Sequence, residues 1–458
     1  STRDGGPWDA DNGPGRSHRL SLLVLLLPSI RSAVSDSPAG KNRVALEIII
    51  GGGGGYPRRP PSSQNCPPPP TPVVPAPKPR NPSLPPTSIS PLVVEASKSI
   101  QSFGKTIVSD PQGITKTWMG SDSCQYRGFI CDRYPNGGRT AVAGVSFNGF
   151  GFGGRNGRLS LAGILTQQLA FFHANSNNFT GQVPATIKDI PFLYELDISN
   201  NKFSGGFPTE VLAARNLTFI DLRFNFFRGA VPPQAFELDL DALFLNNNHF
   251  GGEIPANLGN TKARYLTLAN NQFTGGIPRS IGRASRTLLE ILLLGNQLSG
   301  CLPYEIADLG LLKLFDVRSN QVTGPVPRAF GCLKKLQVLN LERNRLYGTF
   351  PEEVCLLPRL TTLSLAFNYL TELGPECRKL VRRKKIDVQM NCILGLPSQR
   401  PRAECSEFFS RPWPCSEEKW RYTYLPCRLS SNPEGDSGEA PATADAPVTY
   451  GALTPDWT

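Results

Sequence analysis

Residues 196–208 read Leu196-Asp197-Ile198-Ser199-Asn200-Asn201-Lys202-Phe203-Ser204-Gly205-Gly206-Phe207-Pro208. Reduced to what recurs, the stretch is L-x-I-x-x-N-x-F-x-G-x-F-P. The asparagine is the easiest mark to follow. It returns at Asn177, Asn201, Asn225, Asn248, Asn271, Asn296, Asn320, Asn344 and Asn368, at intervals of 24, 24, 23, 23, 25, 24, 24 and 24 residues. A fixed period of this size means a solenoid, in which each unit packs only on its neighbours.

The L-x-L-x-x-N-x-L spelling is that of a leucine-rich repeat. The Gly-x-Φ-Pro that follows (Gly181/Val183/Pro184, Gly252/Ile254/Pro255, Gly300/Leu302/Pro303) is similar to the kind found in plant extracellular proteins. Two apolar residues two apart point to one face of a short strand. The asparagine side chain then turns inward, where its amide can bond backbone groups that would otherwise be buried unpaired. Glycine permits the tight bend, and proline keeps the chain extended without needing a donor. The expected fold is an α/β leucine-rich repeat solenoid, a right-handed superhelix with parallel strands on its concave face, disulfide-capped at both ends.

At 458 residues with net charge +11, the chain is basic overall, but the charge is uneven. Between Ser160 and Cys377 there are 18 basic and 18 acidic residues, so the repeat array itself is not a polyanion-binding body. Eleven cysteines, most of them near the array's ends, fit a secreted protein capped by disulfides.

Taken in order, residues 1–35 carry a signal-peptide pattern: a basic lead (Arg16, His18, Arg19), the apolar run Leu20 to Leu27, then small residues. Residues 36–90 hold the glycine run Gly51 to Gly55 and a proline tract from Pro67, a composition that cannot bury a core. Cys66 has no near partner in sequence. Residues 91–140 read as an N-terminal cap. Val93, Val94, Ile100, Phe103, Ile107 and Val108 fall at helical spacing, followed by a turn at Asp110-Pro111 and the pair Cys124 and Cys131. The array spans 141–371, beginning with a degenerate strand near Ala141. A cysteine-rich cap covers 372–428, and an acidic tail of unstructured composition covers 429–458. Cys332 and Cys355 lie about one repeat apart, so the spacing predicts that they pair across adjacent coils. Arg378, Lys379, Arg382, Arg383, Lys384 and Lys385 crowd together in the C-terminal cap. They read either as a solvated face or as a patch for an acidic wall polysaccharide.

Three segments, FFHANSNNFTGQVP (Phe171 to Pro184), LDLDALFLNNNHF (Leu238 to Phe250) and NCILGLPSQRPRAEC (Asn391 to Cys405), resemble the leucine-rich repeat extensin-like proteins of plant cell walls, closest to short members without an extensin tail. No Ser-Pro-Pro-Pro-Pro run follows the cap; only Cys66-Pro-Pro-Pro-Pro is similar to one. The resemblance implies a secreted protein of the wall. It also implies binding of cysteine-rich signalling peptides of the rapid alkalinisation factor class, with a role in wall integrity and growth. The alternative is a defence protein resembling polygalacturonase inhibitors, also capped stacks of this repeat.

Strand residues between the inward positions face the concave side. That rule nominates Phe171, His173, Asp197, Phe219, Asp221, Arg223, Phe224, Phe244, Asn246 and Tyr265 as a ligand strip, with Glu195, Leu292, Leu294, Leu314, Asp316 and Arg318 beside them. Rings supply contact area and carboxylates select a basic partner. Asn178 and Asn216 head N-glycosylation sequons. The three histidines His18, His173 and His249 are scattered, and no nucleophile elbow, phosphate loop or H-E-x-x-H occurs. A non-enzymatic protein without cofactor or metal is expected.

Overall fold

The computed structural model describes residues 89–134, 138–412, Cys415 and Cys427. The leader pattern, nearly all of the Gly/Pro-rich tract with Cys66, and the acidic tail lie outside the described residues. No helix among the described residues is long and apolar enough to cross a membrane.

Twelve short strands form one sheet in chain order, from Phe129–Arg133 and Thr140–Ser146 to Thr362–Ser364 and Ile386–Asp387. The first pair is antiparallel and the rest are parallel. Register carries the periodicity into space: Val145, Phe172, Leu196, Ile220, Leu243, Leu266, Ile291, Phe315, Leu339, Leu363 and Ile386 stand in one row. Every member of the row is buried. Single-turn 3-10 helices such as Ala185–Asp189 and Tyr304–Asp308 carry most coils back to the next strand.

The marker asparagines satisfy the turns between coils. Asn201 donates to the carbonyls of Ala174 (2.7 Å), Ile198 (3.2 Å) and Ser199 (2.8 Å), and its Oδ1 accepts from the Phe179 N–H at 3.0 Å. One side chain thus ties two coils together and gives the buried Phe179 N–H its acceptor, while the three carbonyls also accept from Asn177, Asn225 and the Ser176 N–H. The same pattern repeats to Asn368, and a tenth rung, Asn391, lies inside the cysteine-rich cap. Both this rung and the Ile386–Asp387 strand extend the array past the expected boundary at 371. Before each of the ten rungs sits a left-handed residue, among them Phe224 (φ 53°), Arg343 and Phe367; the coil geometry demands it even where no glycine is available.

Two positions after the first rungs, phenylalanines stack. Phe179, Phe203, Phe227 and Phe250 have successive centroid distances of 6.2, 6.2 and 6.0 Å and nearly parallel rings. Helix α1 (Pro91–Gly104) closes the open end of this spine by laying Phe103 6.3 Å from Phe179. The helix ends at Gly104 rather than running on to Val108. A Cβ there would press on Trp118 at 3.1 Å, and Ile107–Ser109 instead pairs with Gly153–Gly154 as a short strand. Cys124 and Cys131 are bonded, with Cα atoms 5.5 Å apart.

At the other end, α2 (Glu352–Cys355), α3 (Pro375–Arg382) and α4 (Arg402–Phe409) build the C-terminal cap. The expected Cys332–Cys355 pair does not form. Cys355 bonds Cys377 and so staples α2 to α3, while Cys332 bonds Cys427. Counting one repeat forward from Cys355 reaches Cys377 as readily as counting back reaches Cys332, and only the convex helices bring a pair to bonding distance. Cys301–Cys415 and Cys392–Cys405 complete the set. The cap motif has a physical purpose. Gln399 donates to the Val388 carbonyl and accepts from the Ile393 N–H, and Arg400 donates to the Asn368 carbonyl at 2.7 Å. Groups that a further coil would have bonded are thereby satisfied.

Candidate binding site on the concave face

Because the buried row is the middle residue of each strand, the residues before and after it form two lanes on the opposite face. The leading lane is Phe171, Glu195, Phe219, Ala242, Tyr265, Glu290, Leu314, Val338 and Thr362; the trailing lane is His173, Asp197, Asp221, Phe244, Thr267, Leu292, Asp316, Asn340 and Ser364. Neighbours in a lane are about 4.8 Å apart, the strand spacing of any sheet.

Leading-lane aromatics keep free ring surface. Phe171, Phe219 and Tyr265 are half-buried, and Tyr194, one residue before its strand, is exposed. Phe171 lies over Gly144, whose missing Cβ leaves room for the ring. It is 5.0 Å from His173 and 6.4 Å from Tyr194 by centroid. His173 Nε2 meets Glu195 Oε2 at 2.7 Å. Phe219 meets Phe244 edge-on at 5.7 Å, and Arg223 lies over Phe244 at 5.4 Å. Phe171, His173, Glu195, Phe219, Phe244 and Tyr265 are therefore brought together on adjacent strands.

Other nominated residues have different occupations. Asp197 Oδ1 accepts from the Ser199 N–H and hydroxyl, and its Oδ2 from Asn175. Asp221 accepts from the Arg223 N–H at 3.0 Å and pairs with its guanidinium at 2.7 Å, both side chains being buried. Asp316, Asn340 and Asp387 accept from the N–H two residues on in the same way. These trailing-lane oxygens hold the bend that leaves each strand. They are not carboxylates offered to a ligand. The signal was in the sequence: Asp, Asn or Thr recurs at the last strand position, two before the next concave residue. Phe224 belongs to the left-handed turn before its rung, and Asn246 is fully buried, so neither lies on the open strip.

Past Tyr265 the lanes change character. Ala269, Leu292, Leu294, Leu314 and Val338 form an aliphatic cluster separate from the main core. Glu290 stands at the seam. Burial raises its carboxyl to about 7 against the opposing pull of Lys313. Of the sequons, Asn216 is exposed and donates to the Pro191 carbonyl, while Asn178 is half-buried. His249 stacks on Phe226 away from His173. Among the described residues no cluster of His, Cys, Asp or Glu has the arrangement of a metal site.

A stack of parallel-strand coils with an asparagine rung in each defines a leucine-rich repeat protein. The leucine-rich repeat model matches residues 192–212, 262–284 and 335–357. Leucine-rich repeat extensin-like protein 7 of Arabidopsis thaliana is 50% identical over 323 residues, which is 70% of this chain and 73% of that protein. Protein 6 of the same series is 45% identical over 338 residues, 73% of this chain and 70% of that one. The chain belongs to the leucine-rich repeat extensin-like family. Against extensin-like protein 1 it is 50% identical over 159 residues but spans only about a fifth of that relative's length (21%). Among solved structures, the complex of PEPR1 with AtPEP1 aligns over 65% of this chain and 49% of its own, with a TM-score of 0.51 and 26% identity.

Proposed function

We propose that this protein is a secreted, wall-associated binding module. It holds a basic, cysteine-rich signalling peptide along the N-terminal half of its concave face, in wall-integrity or growth signalling. One observation carries the reading: Phe171, Glu195, Phe219 and Tyr265 stand in one register lane, broken only by Ala242, with Tyr194 just before Glu195 and ring surface left open. A rigid sheet presenting aromatic area at low entropic cost suits recognition of a compact partner. Glu195 selects for cationic side chains. Family membership and the pairing of PEPR1 with AtPEP1 on a similar solenoid support the same reading. Asp197 and Asp221 contribute by shaping the strip, so their replacement tests folding more than binding.

The experiment is a titration of the protein with a synthetic basic peptide of the rapid alkalinisation factor class, alongside the variant Glu195→Lys/Phe219→Ser/Tyr265→Ser. Loss of about tenfold or more in affinity at unchanged melting temperature is expected, since central aromatics carry most interface energy. Equal affinity would discard the strip.

A further inference from the structure

Three successive coils near the C-terminal end share a feature that the concave face does not use. The chain between the convex helix and the concave strand is bounded by matching landmarks in each: Cys332 to Leu339, Cys355 to Leu363, and Cys377 to Ile386. Leu339, Leu363 and Ile386 are direct partners in the sheet, and the Cys355–Cys377 disulfide aligns the starts of the last two. These three turns carry Lys334, Lys335, Arg359, Arg378, Lys379, Arg382, Arg383, Lys384 and Lys385, and not one acidic residue.

Position within the fold sorts this group. Arg378 is absorbed by the cap, donating to the Leu373 and Leu394 carbonyls, and Lys379 pairs with Glu376. Arg382, Arg383, Lys384 and Lys385 are exposed, with no carboxylate partner among the described residues. Lys335 and Arg359, also exposed, continue the row along the flank onto the two preceding coils. One earlier pair of coils differs at the same stage. There Lys262 sits against Asp239 on the neighbouring coil at 3.8 Å, so charges of opposite sign stack. Like charges brought close repel. Arg382, Arg383, Lys384 and Lys385 crowd together with no carboxylate among the described residues to offset that.

We propose that this flank, from Lys335 through Arg359 to Arg382–Lys385, binds a linear polycarboxylate of the polyuronate class, the chain lying across the coils. The repeat favours this occupant. Cations recur once per coil, and the coils stand about 4.8 Å apart at their strands, comparable to one uronate residue of an extended chain. Phosphates of a nucleic acid strand are spaced more widely, and a lipid surface has no repeat along a line. The site is separate from the aromatic strip and does not depend on it.

The test is affinity of the full chain for polygalacturonate, measured at about 50 and about 200 mM NaCl. The comparison is with the quadruple variant Arg382→Gln/Arg383→Gln/Lys384→Gln/Lys385→Gln. A second variant, Lys335→Gln/Arg359→Gln, lies outside the cap and guards against a cap that fails to fold. The wild type is expected to bind and to weaken about tenfold or more over that salt range, as release of counterions requires. Both variants are expected to bind more weakly, the quadruple by about tenfold or more. Binding unaffected by either variant would overturn the proposal. So would equal affinity for fully methyl-esterified polygalacturonate, or tighter binding to anionic phospholipid vesicles or to single-stranded DNA.

Discussion

The two halves of the array solve one problem by different means. At the position two after each rung, the N-terminal half places Phe179, Phe203, Phe227, Phe250 and Phe273, the first four of them stacked ring on ring and capped by Phe103. The C-terminal half places Leu298, Val322, Leu346 and Leu370 there, all buried but with no rings to stack. That half instead carries four disulfides, two of which reach back 114 and 95 residues, whereas the N-terminal half has one that closes seven. A solenoid has no long-range core, so each coil depends on its neighbours. Where side-chain stacking is strong it links the coils; where it is weaker, covalent bonds restrain the unfolded chain.

The largest effect expected is from the longest tie. Cys301→Ser/Cys415→Ser should lower stability by about 5 kcal/mol on the loop-entropy account, read as a fall in denaturation midpoint confined to the C-terminal coils by hydrogen exchange. A similar loss, about 3–5 kcal/mol, is expected for Phe227→Ala, which opens a cavity between two stacked rings. Phe227→Leu should recover most of it. What Phe227→Leu does not recover is the share of the ring stack; if Phe227→Leu were as stable as the wild type, the stack would be incidental. Asn248→Ala should cost about 2–3 kcal/mol, because it takes the acceptor from the buried Phe227 N–H and leaves the Leu222 carbonyl to Asn225 alone. An unchanged midpoint would show that the ladder does not hold the coils together.

The smallest effect lies at the seam. Glu290 ionises near 4.5 when unfolded and near 7 when folded, burial being the cause. The folded state therefore holds its proton more tightly. The associated stability is fully present below about 4.5 and lost as pH rises through about 7. Glu290→Gln should flatten that slope, worth about 2 kcal/mol after allowing for its partial exposure. A slope unchanged in the variant would assign it elsewhere.

The fold was legible because its signal is periodic. Nine asparagines at one interval settle strand, turn and register together, and extensin-like protein 7 matches over 70% of the chain. Features of single residues were harder to read. Asn391 has the spelling and interval of a tenth rung, Ile386-x-Val388-x-x-Asn391 at 23 residues from Asn368, but the cysteines around it read as a cap; Cys332 was mispaired because sequence distance cannot tell a forward neighbour from a backward one. On the strip, alternation placed Phe171, Phe219 and Tyr265 on the open face but could not show that Asp197 and Asp221 spend their oxygens on their own turns. A carboxylate on a concave strand and one in a strand-ending turn have the same address in the sequence.

Hydrogen exchange with and without a saturating basic, cysteine-rich peptide addresses the recognition face most directly. Slowed exchange is expected at residues 171–173, 195–197, 219–221, 242–244 and 265–267, with the convex 3-10 turns unchanged. Slowing confined to the convex turns or to the C-terminal cap would contradict recognition on the concave strip.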